Sequence, residues 1–161
     1  MKLDYKDCGN IGFTCSTFDL LHAGHVVMLE EAKRHCDYLI VGLQVDPTMD
    51  RPSKNAPIQS IVERQIQLSA IKYVDEVVET DWLITEKTLE KYKINTLIHG
   101  SDNLFKSETF KVIDFPRTEG ISSSKIRLRA FQSLISKRNK EKLMLTPGPS
   151  SICEASIKNI E

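Results

Sequence analysis

The chain has 161 residues, 40% of them apolar, and its 22 Lys plus Arg balance 22 Asp plus Glu. Such a length suits one domain of roughly 130 to 150 residues with a real core. A formal charge of zero leaves no strong field for nucleic acid or an anionic membrane, so any anion site is local. No apolar run approaches the ~20 residues of a membrane span, so no membrane insertion is expected, and no secretory leader is expected ahead of the fold. Cys8, Cys15, Cys36 and Cys153 lack C-x-x-C spacing. Two of them fall in a core strand or at a helix end, so reduced thiols in a cytoplasmic protein are expected, not a disulfide framework or a zinc site.

After a polar lead, Ile11 to Ser16 reads as a first strand, and a helix is predicted from about Gly24 to His35. Tyr38 to Leu43 is a continuous apolar run, as in a strand buried on both faces. Gln44 to Pro57 is a loop. Ser60 and Glu63 form a capping box that starts a helix running to about Lys72. Val74 to Val78 reads as a third strand, Ile84 to Lys93 as a helical segment, Thr96 to His99 as a fourth strand and Lys111 to Phe115 as a fifth. Ser122 to Leu134 is a last helix, with Ile126, Ala130 and Leu134 four apart. Strands alternating with helices predict a Rossmann-like α/β fold, a five-stranded parallel sheet with helices on both faces. Such sheets bind ligands beyond the carboxyl ends of the strands. Four polar groups then become candidates: Thr17 to His25, Asp46, His99 to Asp102, and Arg117 to Ser124.

The first of these carries the densest chemistry. Thr17-Phe-Asp-Leu-Leu-His-Ala-Gly-His25 follows a strand and opens a helix. A helix start offers unpaired N–H groups and the positive end of the dipole. His22 and His25 flank Gly24, which leaves room for backbone to approach a ligand. As bare residues, H-x-x-H is equally a metal pair or polar surface; the strand-to-helix context favours phosphate binding. The H-E-x-x-H of a zinc protease is absent. The second group, Phe115-Pro-Arg-Thr-Glu-Gly-Ile-Ser-Ser-Ser-Lys-Ile126, places Arg117 and three hydroxyls, Ser122, Ser123 and Ser124, at another helix start. Read alone it is an ordinary capped helix; on the same sheet edge as the histidines it becomes a second anion site.

T-F-D-L-L-H-A-G-H resembles the signature of the cytidylyltransferase family of nucleotidyltransferases, and R-T-E-G-I-S-S-S-K-I resembles that family's R-T-x-G-I-S-T-T-x-I, with Ser123 and Ser124 for the threonines. Lys54 is similar to the family's loop lysine, Lys72-Tyr-Val-Asp75-Glu-Val to its R/K-x-V-D-E-V segment, and His99-Gly-Ser-Asp102 to its H/M-G-x-D. The resemblance spans about Ile11 to Arg129. Departures are Ser16 where the family carries Gly, Pro52 where a second basic residue is expected, and no match to the acceptor-gripping positions after Trp82.

The resemblance implies an enzyme, a homodimer, that moves CMP from CTP to a small phospho-alcohol, glycerol 3-phosphate first, releasing pyrophosphate with Mg²⁺ as the metal partner. It implies catalytic roles for His22, His25, Lys54 and Arg117. It implies nucleotide contacts for Thr17, Phe18, Asp19, Gly24, Asp102, Thr118, Gly120, Ile121, Ser122, Ser123 and Ser124, and no protein-held metal. Asp19 is open between orienting a histidine and serving ribose or metal. ATP as the nucleotide is disfavoured by the R-T-E-G-I-S-S-S run. A nucleotide-sensing module without turnover is a further alternative.

Residues 1–135 are expected to form the cytidylyltransferase domain and 136–161 a charged linker and tail. Leu143-Met-Leu-Thr-Pro-Gly-Pro resembles the opening of a class V aminotransferase such as 2-aminoethylphosphonate transaminase. That implies a fused second domain and a phosphonate acceptor; by composition alone it is a tail with a Pro-Gly-Pro turn.

Overall fold

The structure is a computed structural model and describes residues 9–49, 51–80, 85–100 and 110–145. In chain order the elements are β1 (Ile11–Ser16), α1 (Ala23–Lys33), β2 (Tyr38–Gln44), α2 (Ile61–Ser69), β3 (Glu76–Thr80), α3 (Glu86–Lys91), β4 (Thr96–Gly100), β5 (Lys111–Phe115) and α4 (Ser123–Leu145). The five strands form one sheet in the order β3-β2-β1-β4-β5, every neighbouring pair parallel.

Burial follows from the apolar runs. All of β2 is buried, as a strand covered on both faces must be. One core lies on the face of Phe13, Cys15, Ile40 and Leu97 and takes Leu89 from α3. The other lies on the face of Leu39, Val41, Leu43 and Ile98 and takes Leu29 and Ala32 from α1 and Leu68 from α2. Helices therefore cover both faces. Gly42 sits where the layers close most tightly: a Cβ there would lie 2.6 Å from Phe13 Cζ.

The capping box forms as its spacing requires. Ser60 Oγ accepts from Glu63 N at 3.3 Å, and Glu63 Oε2 accepts from Ser60 N at 2.8 Å. Of the boundaries that differ from the sequence reading, three have a visible cause. β3 begins at Glu76, because Asp75 serves as a brace ahead of it: its amide donates to Leu39 O, and its carboxylate takes Leu39 N at 2.7 Å and Lys33 Nζ at 2.6 Å. α2 ends at Ser69, where Ala70 and Ile71 close the turn onto Ile66, Gln67 and Leu68 carbonyls. α4 continues through 136–142, the run expected as a linker. Its Lys, Arg and Glu are unbranched, good helix formers, so charge alone does not stop a helix.

The chain divides into two compact units, Met1–Ser123 and Ser124–Glu161. The first holds the whole sheet. Of the second, the structure describes the body of α4, a helix with Leu128, Phe131 and Leu134 exposed. Among the described residues no helix is long and apolar enough to cross a membrane. The Leu-Thr-Pro-Gly-Pro stretch lies outside the described residues, apart from Leu145 at its start.

Strand pairing creates one opening. β1 pairs with β2 over six positions, but with β4 over only two, Gly12↔Thr96 and Phe13↔Leu97. Thr14, Cys15 and Ser16 run on without a β4 partner. The divergence falls where strand order reverses, between the half that runs outward to β3 and the half that runs outward to β5. A crevice at that point is where ligands enter such sheets.

Candidate active site

The loop from β1 to α1 is strained and heavily braced. Phe18 and Leu20 are held in the left-handed region, at φ 50° and 51°. Non-glycine residues there cost about 1–3 kcal/mol each and need surrounding structure to hold them. The bracing comes from the segment leading into α2. Asp19 Oδ1 accepts from Ile58 N and Gln59 N, both at 3.0 Å, and Gln59 Oε1 accepts from Leu20 N at 2.7 Å. Asp19 thus serves the frame directly.

Arg64 completes the brace. Its side chain is 2% exposed and donates to four carbonyls: Thr17 O at 2.8 Å, Gln44 O at 2.7 Å, Val45 O at 2.8 Å and Gln59 O at 3.1 Å. One guanidinium thereby gathers the exits of β1 and β2 and the entry of α2. Its planar fork of donors is what permits this; an ammonium has no such fork. Neither Arg64 nor Gln59 stands out in the sequence, because their partners lie up to 47 residues away.

On this frame stands the histidine pair. His22 is the N-cap of α1, its backbone extended, and its Nδ1 accepts from His25 N at 3.3 Å. That bond leaves the proton of the neutral His22 ring on Nε2. The two rings stack, with centroids 3.8 Å apart and an 11° interplanar angle, and Phe18 meets His25 edge-on at 5.2 Å. Burial is the main reason both pKa values fall; the neighbouring His22 adds to the effect at His25, Asp19 opposes it weakly, and His25 is pushed to about 3. Without a ligand both rings are neutral. His25 Nδ1 is buried and unpartnered among the described residues.

Gly24 is required by close approach. A Cβ there would lie 3.2 Å from the His22 ring and 3.2 Å from Ile121 Cγ2. That contact places Ile121, from the second motif, against the start of α1. Ser123 Oγ donates to Asp19 O at 2.7 Å, a second tie between the two motifs. Gly120 has φ 79° and turns the chain there. Thr17 Oγ1 lies 3.4 Å from Gln44 Oε1 at the β1 exit. Arg117 and Thr118 are exposed, Ser122 is partly buried, and Ser124 lies in the first turn of α4. Lys54 is exposed in a turn that its amide closes onto Arg51 O at 2.9 Å. The structure thus brings Thr17, Phe18, Asp19, His22, Gly24, His25, Ile121 and Ser123 together, and leaves Lys54, Arg117 and Thr118 on exposed loops. Asp102 and Trp82 lie outside the described residues. Asp46 is occupied locally, accepting from Thr48 N and Oγ1 at 2.9 and 2.8 Å.

A family model described as cytidylyltransferase-like matches residues 13–129, which include both motifs. The chain belongs to the cytidylyltransferase-like family. It is 39% identical over 119 residues to the glycerol-3-phosphate cytidylyltransferase of Bacillus subtilis, covering 71% of this chain and 92% of that protein. It is 32% identical over 142 residues to the ethanolamine-phosphate cytidylyltransferase of Arabidopsis thaliana, covering 78% of this chain but only 34% of that longer protein. Among solved structures, a lipopolysaccharide core biosynthesis protein from Thermoplasma volcanium matches 68% of this chain and 98% of its own, with TM-score 0.60 and 25% identity. Pantothenate synthetase from Thermus thermophilus matches 73% of this chain and 61% of its own, with TM-score 0.52 and 13% identity, a likeness of fold alone.

The brace and the stack can each be tested in solution. Arg64→Met strands four carbonyls, and urea unfolding should show a loss of about 3–5 kcal/mol, with Arg64→Lys recovering only part. His25 binds a proton readily when unfolded, near 6.5, but only near 3 when folded. Its contribution to stability is complete above pH 6.5 and is lost as pH falls toward 3. Between pH 7 and 5 the parent should lose about 1–2 kcal/mol more than His25→Asn in matched urea titrations.

Proposed function

We propose that this chain is a CTP-dependent cytidylyltransferase that transfers CMP to a small phospho-alcohol, with glycerol 3-phosphate the first acceptor to test. The observation that carries the reading is the stacked histidine pair at the start of α1, braced at the crevice between β1 and β4, in a member of the cytidylyltransferase-like family. The 39% identical Bacillus relative supports glycerol 3-phosphate. The Arabidopsis relative and the aminotransferase-like tail favour a second reading, an aminoethyl acceptor such as phosphoethanolamine or 2-aminoethylphosphonate.

Charge dictates the mechanism. An acceptor phosphate oxygen, already anionic near pH 7 because its second pKa is about 6, attacks the α-phosphorus of CTP. The bond to the β-phosphate oxygen breaks and pyrophosphate leaves with the electron pair. The reaction needs alignment and donors where charge builds, and no strong base. His22 and His25 serve the α-phosphate and the leaving group, with the first-turn amides of α1 behind them. Their neutral resting state suits that role. Arriving phosphate charge favours protonation, so the pair takes up a proton only as the ligand supplies negative charge. Arg117 and Ser122, Ser123 and Ser124 take the β- and γ-phosphates, with Thr118 and Gly120 shaping that loop. Lys54 bridges the nucleotide and the acceptor from its exposed turn. Thr17, Phe18, Gly24, Ile121 and Asp102 line the nucleotide, and Asp19 holds the loop they depend on.

Among the described residues no group of three His, Cys, Asp or Glu gathers to hold a metal. Magnesium, in this reading, would arrive with CTP and would neutralise charge on the triphosphate. The family resemblance carries a homodimer, and Val62 and Ile66, exposed on α2, offer an apolar face for one. Free thiols at Cys15 and Cys36 suit a cytoplasmic protein.

Pyrophosphate release with CTP or ATP against glycerol 3-phosphate, phosphocholine, phosphoethanolamine and 2-aminoethylphosphonate tests the reading directly. Release is expected with CTP and not ATP. His25→Ala should lower turnover by at least ~10² with an unchanged far-UV spectrum, the loss typical of a removed transition-state donor. A folded parent that binds CTP and turns over none of the four would instead be a sensing module.

A further inference from the structure

The zero net charge of the chain hides a division. Residues 1–122 hold 14 Lys and Arg against 19 Asp and Glu, a net −5, whereas α4 holds seven against one, a net +6. From Ser123 to Asn139 the helix carries Lys125, Arg127, Arg129, Lys137 and Arg138 and no acidic residue. The same span leaves large apolar side chains in water. Every residue from Leu128 to Asn139 is exposed, with Leu128 at 54%, Phe131 at 61%, Leu134 at 68% and Ile135 at 42%. Residues three or four apart on a helix are neighbours on one face, so Phe131 adjoins the other three. Four such side chains over about two turns form one continuous patch, and patches of that kind mark contact surfaces.

Helical geometry sets the five cations around that patch. At about 100° per residue, Arg127 and Arg138 fall on the apolar line itself, one turn before Phe131 and one turn after Leu134. Lys125 and Arg129 fall along one side, beyond Leu128, and Lys137 along the other, beyond Leu134. The patch is therefore rimmed at both ends and along both sides by Lys and Arg, whose long stems can extend the apolar surface while the charged heads stand clear of it. This pattern selects the occupant. A second copy of α4 would set five cations against five, with no anion to answer them. A protein groove walls a helix along its length, whereas a bilayer surrounds a half-sunk helix on every side, and the rim here is closed. An anionic bilayer meets both features: its acyl boundary takes the apolar patch, and its headgroups face the whole rim.

We propose that α4 docks this chain on an anionic lipid bilayer, lying in the headgroup plane with its apolar patch at the acyl boundary and its basic rim among the lipid phosphates. The contact is peripheral, because α4 is not apolar enough to cross a membrane. It uses neither CTP nor the acceptor, so it stands apart from the CMP-transfer reading. The two parts of the surface act together. Four apolar side chains alone bind a bilayer weakly, and the cations add attraction only within about a Debye length of the surface, where the apolar contact holds them. The net −5 of residues 1–122 is repelled by the same lipids, so α4 alone makes the contact.

The test is co-sedimentation of the full chain with sucrose-loaded vesicles, either pure phosphatidylcholine or an equal mixture with phosphatidylglycerol. Binding to the mixed vesicles should exceed binding to the neutral ones by at least about 10-fold, and should fall as added salt screens the rim. Phe131→Ser with Leu134→Ser should weaken it about 10- to 100-fold. Lys137→Gln with Arg138→Gln should weaken it about 10-fold or more. Phe131→Trp should keep the binding, with emission that shifts to the blue on mixed vesicles beyond any change in the parent's Trp82. All these positions but Trp82 are exposed, so the variants should keep the parent's urea midpoint. A parent that binds neither vesicle, or binds both equally, overturns the proposal, and so does a glutamine pair or a serine pair that binds like the parent. Should the serine pair fail to fold, the glutamine pair and Phe131→Trp decide the question alone. A parent dimer that ignores vesicles and dissociates in the serine pair, measured by light scattering, would give the patch to a second copy and also overturn the lipid assignment.

Discussion

One buried guanidinium holds the working edge of this sheet in place. Arg64 binds the carbonyls of Thr17, Gln44, Val45 and Gln59, which belong to the ends of two strands and the approach to a helix. Carbonyls at strand exits point where no ladder continues, and buried without donors they would destabilise the fold. By satisfying them, Arg64 allows the chain to leave β1 abruptly, through two residues in left-handed geometry, and to enter α1 with a histidine as its N-cap.

The histidine stack depends on that frame for its charge state. Rings 3.8 Å apart and partly removed from water cannot both be cationic, and the resting site is neutral. A neutral pair repels no incoming group and gains charge only when phosphate supplies the compensating field. The net charge of the chain is also zero, so attraction of CTP is a property of this edge and not of the molecule.

The sheet's pairing decides where that edge opens. Six paired positions bind β1 to β2, but only two bind it to β4, and the polar groups on the two sides of the gap come from different faces of the sheet. The histidine pair stands with one core and His99 with the other.

The alternation of strand and helix, the fully buried β2 run, the Ser60–Glu63 box and both family motifs were legible in the chain before any fold was known. Each of these depends on neighbours a few residues apart, where side-chain periodicity and capping chemistry act directly. The start of β3 and the reach of α4 were not, since Asp75 looks like strand until Leu39 and Lys33 claim it, and a charged run looks like a linker although its residues favour helix. Folding alone settled that Arg64 and Gln59 brace the histidine loop, that β1 parts from β4 after Phe13, and that His99 pairs with Asp114 and keeps one nitrogen unmet. Those facts join residues far apart in the chain. Hydrogen-bond satisfaction at a buried strand exit is settled by whatever the fold brings alongside, and a residue's sequence neighbours carry no record of it.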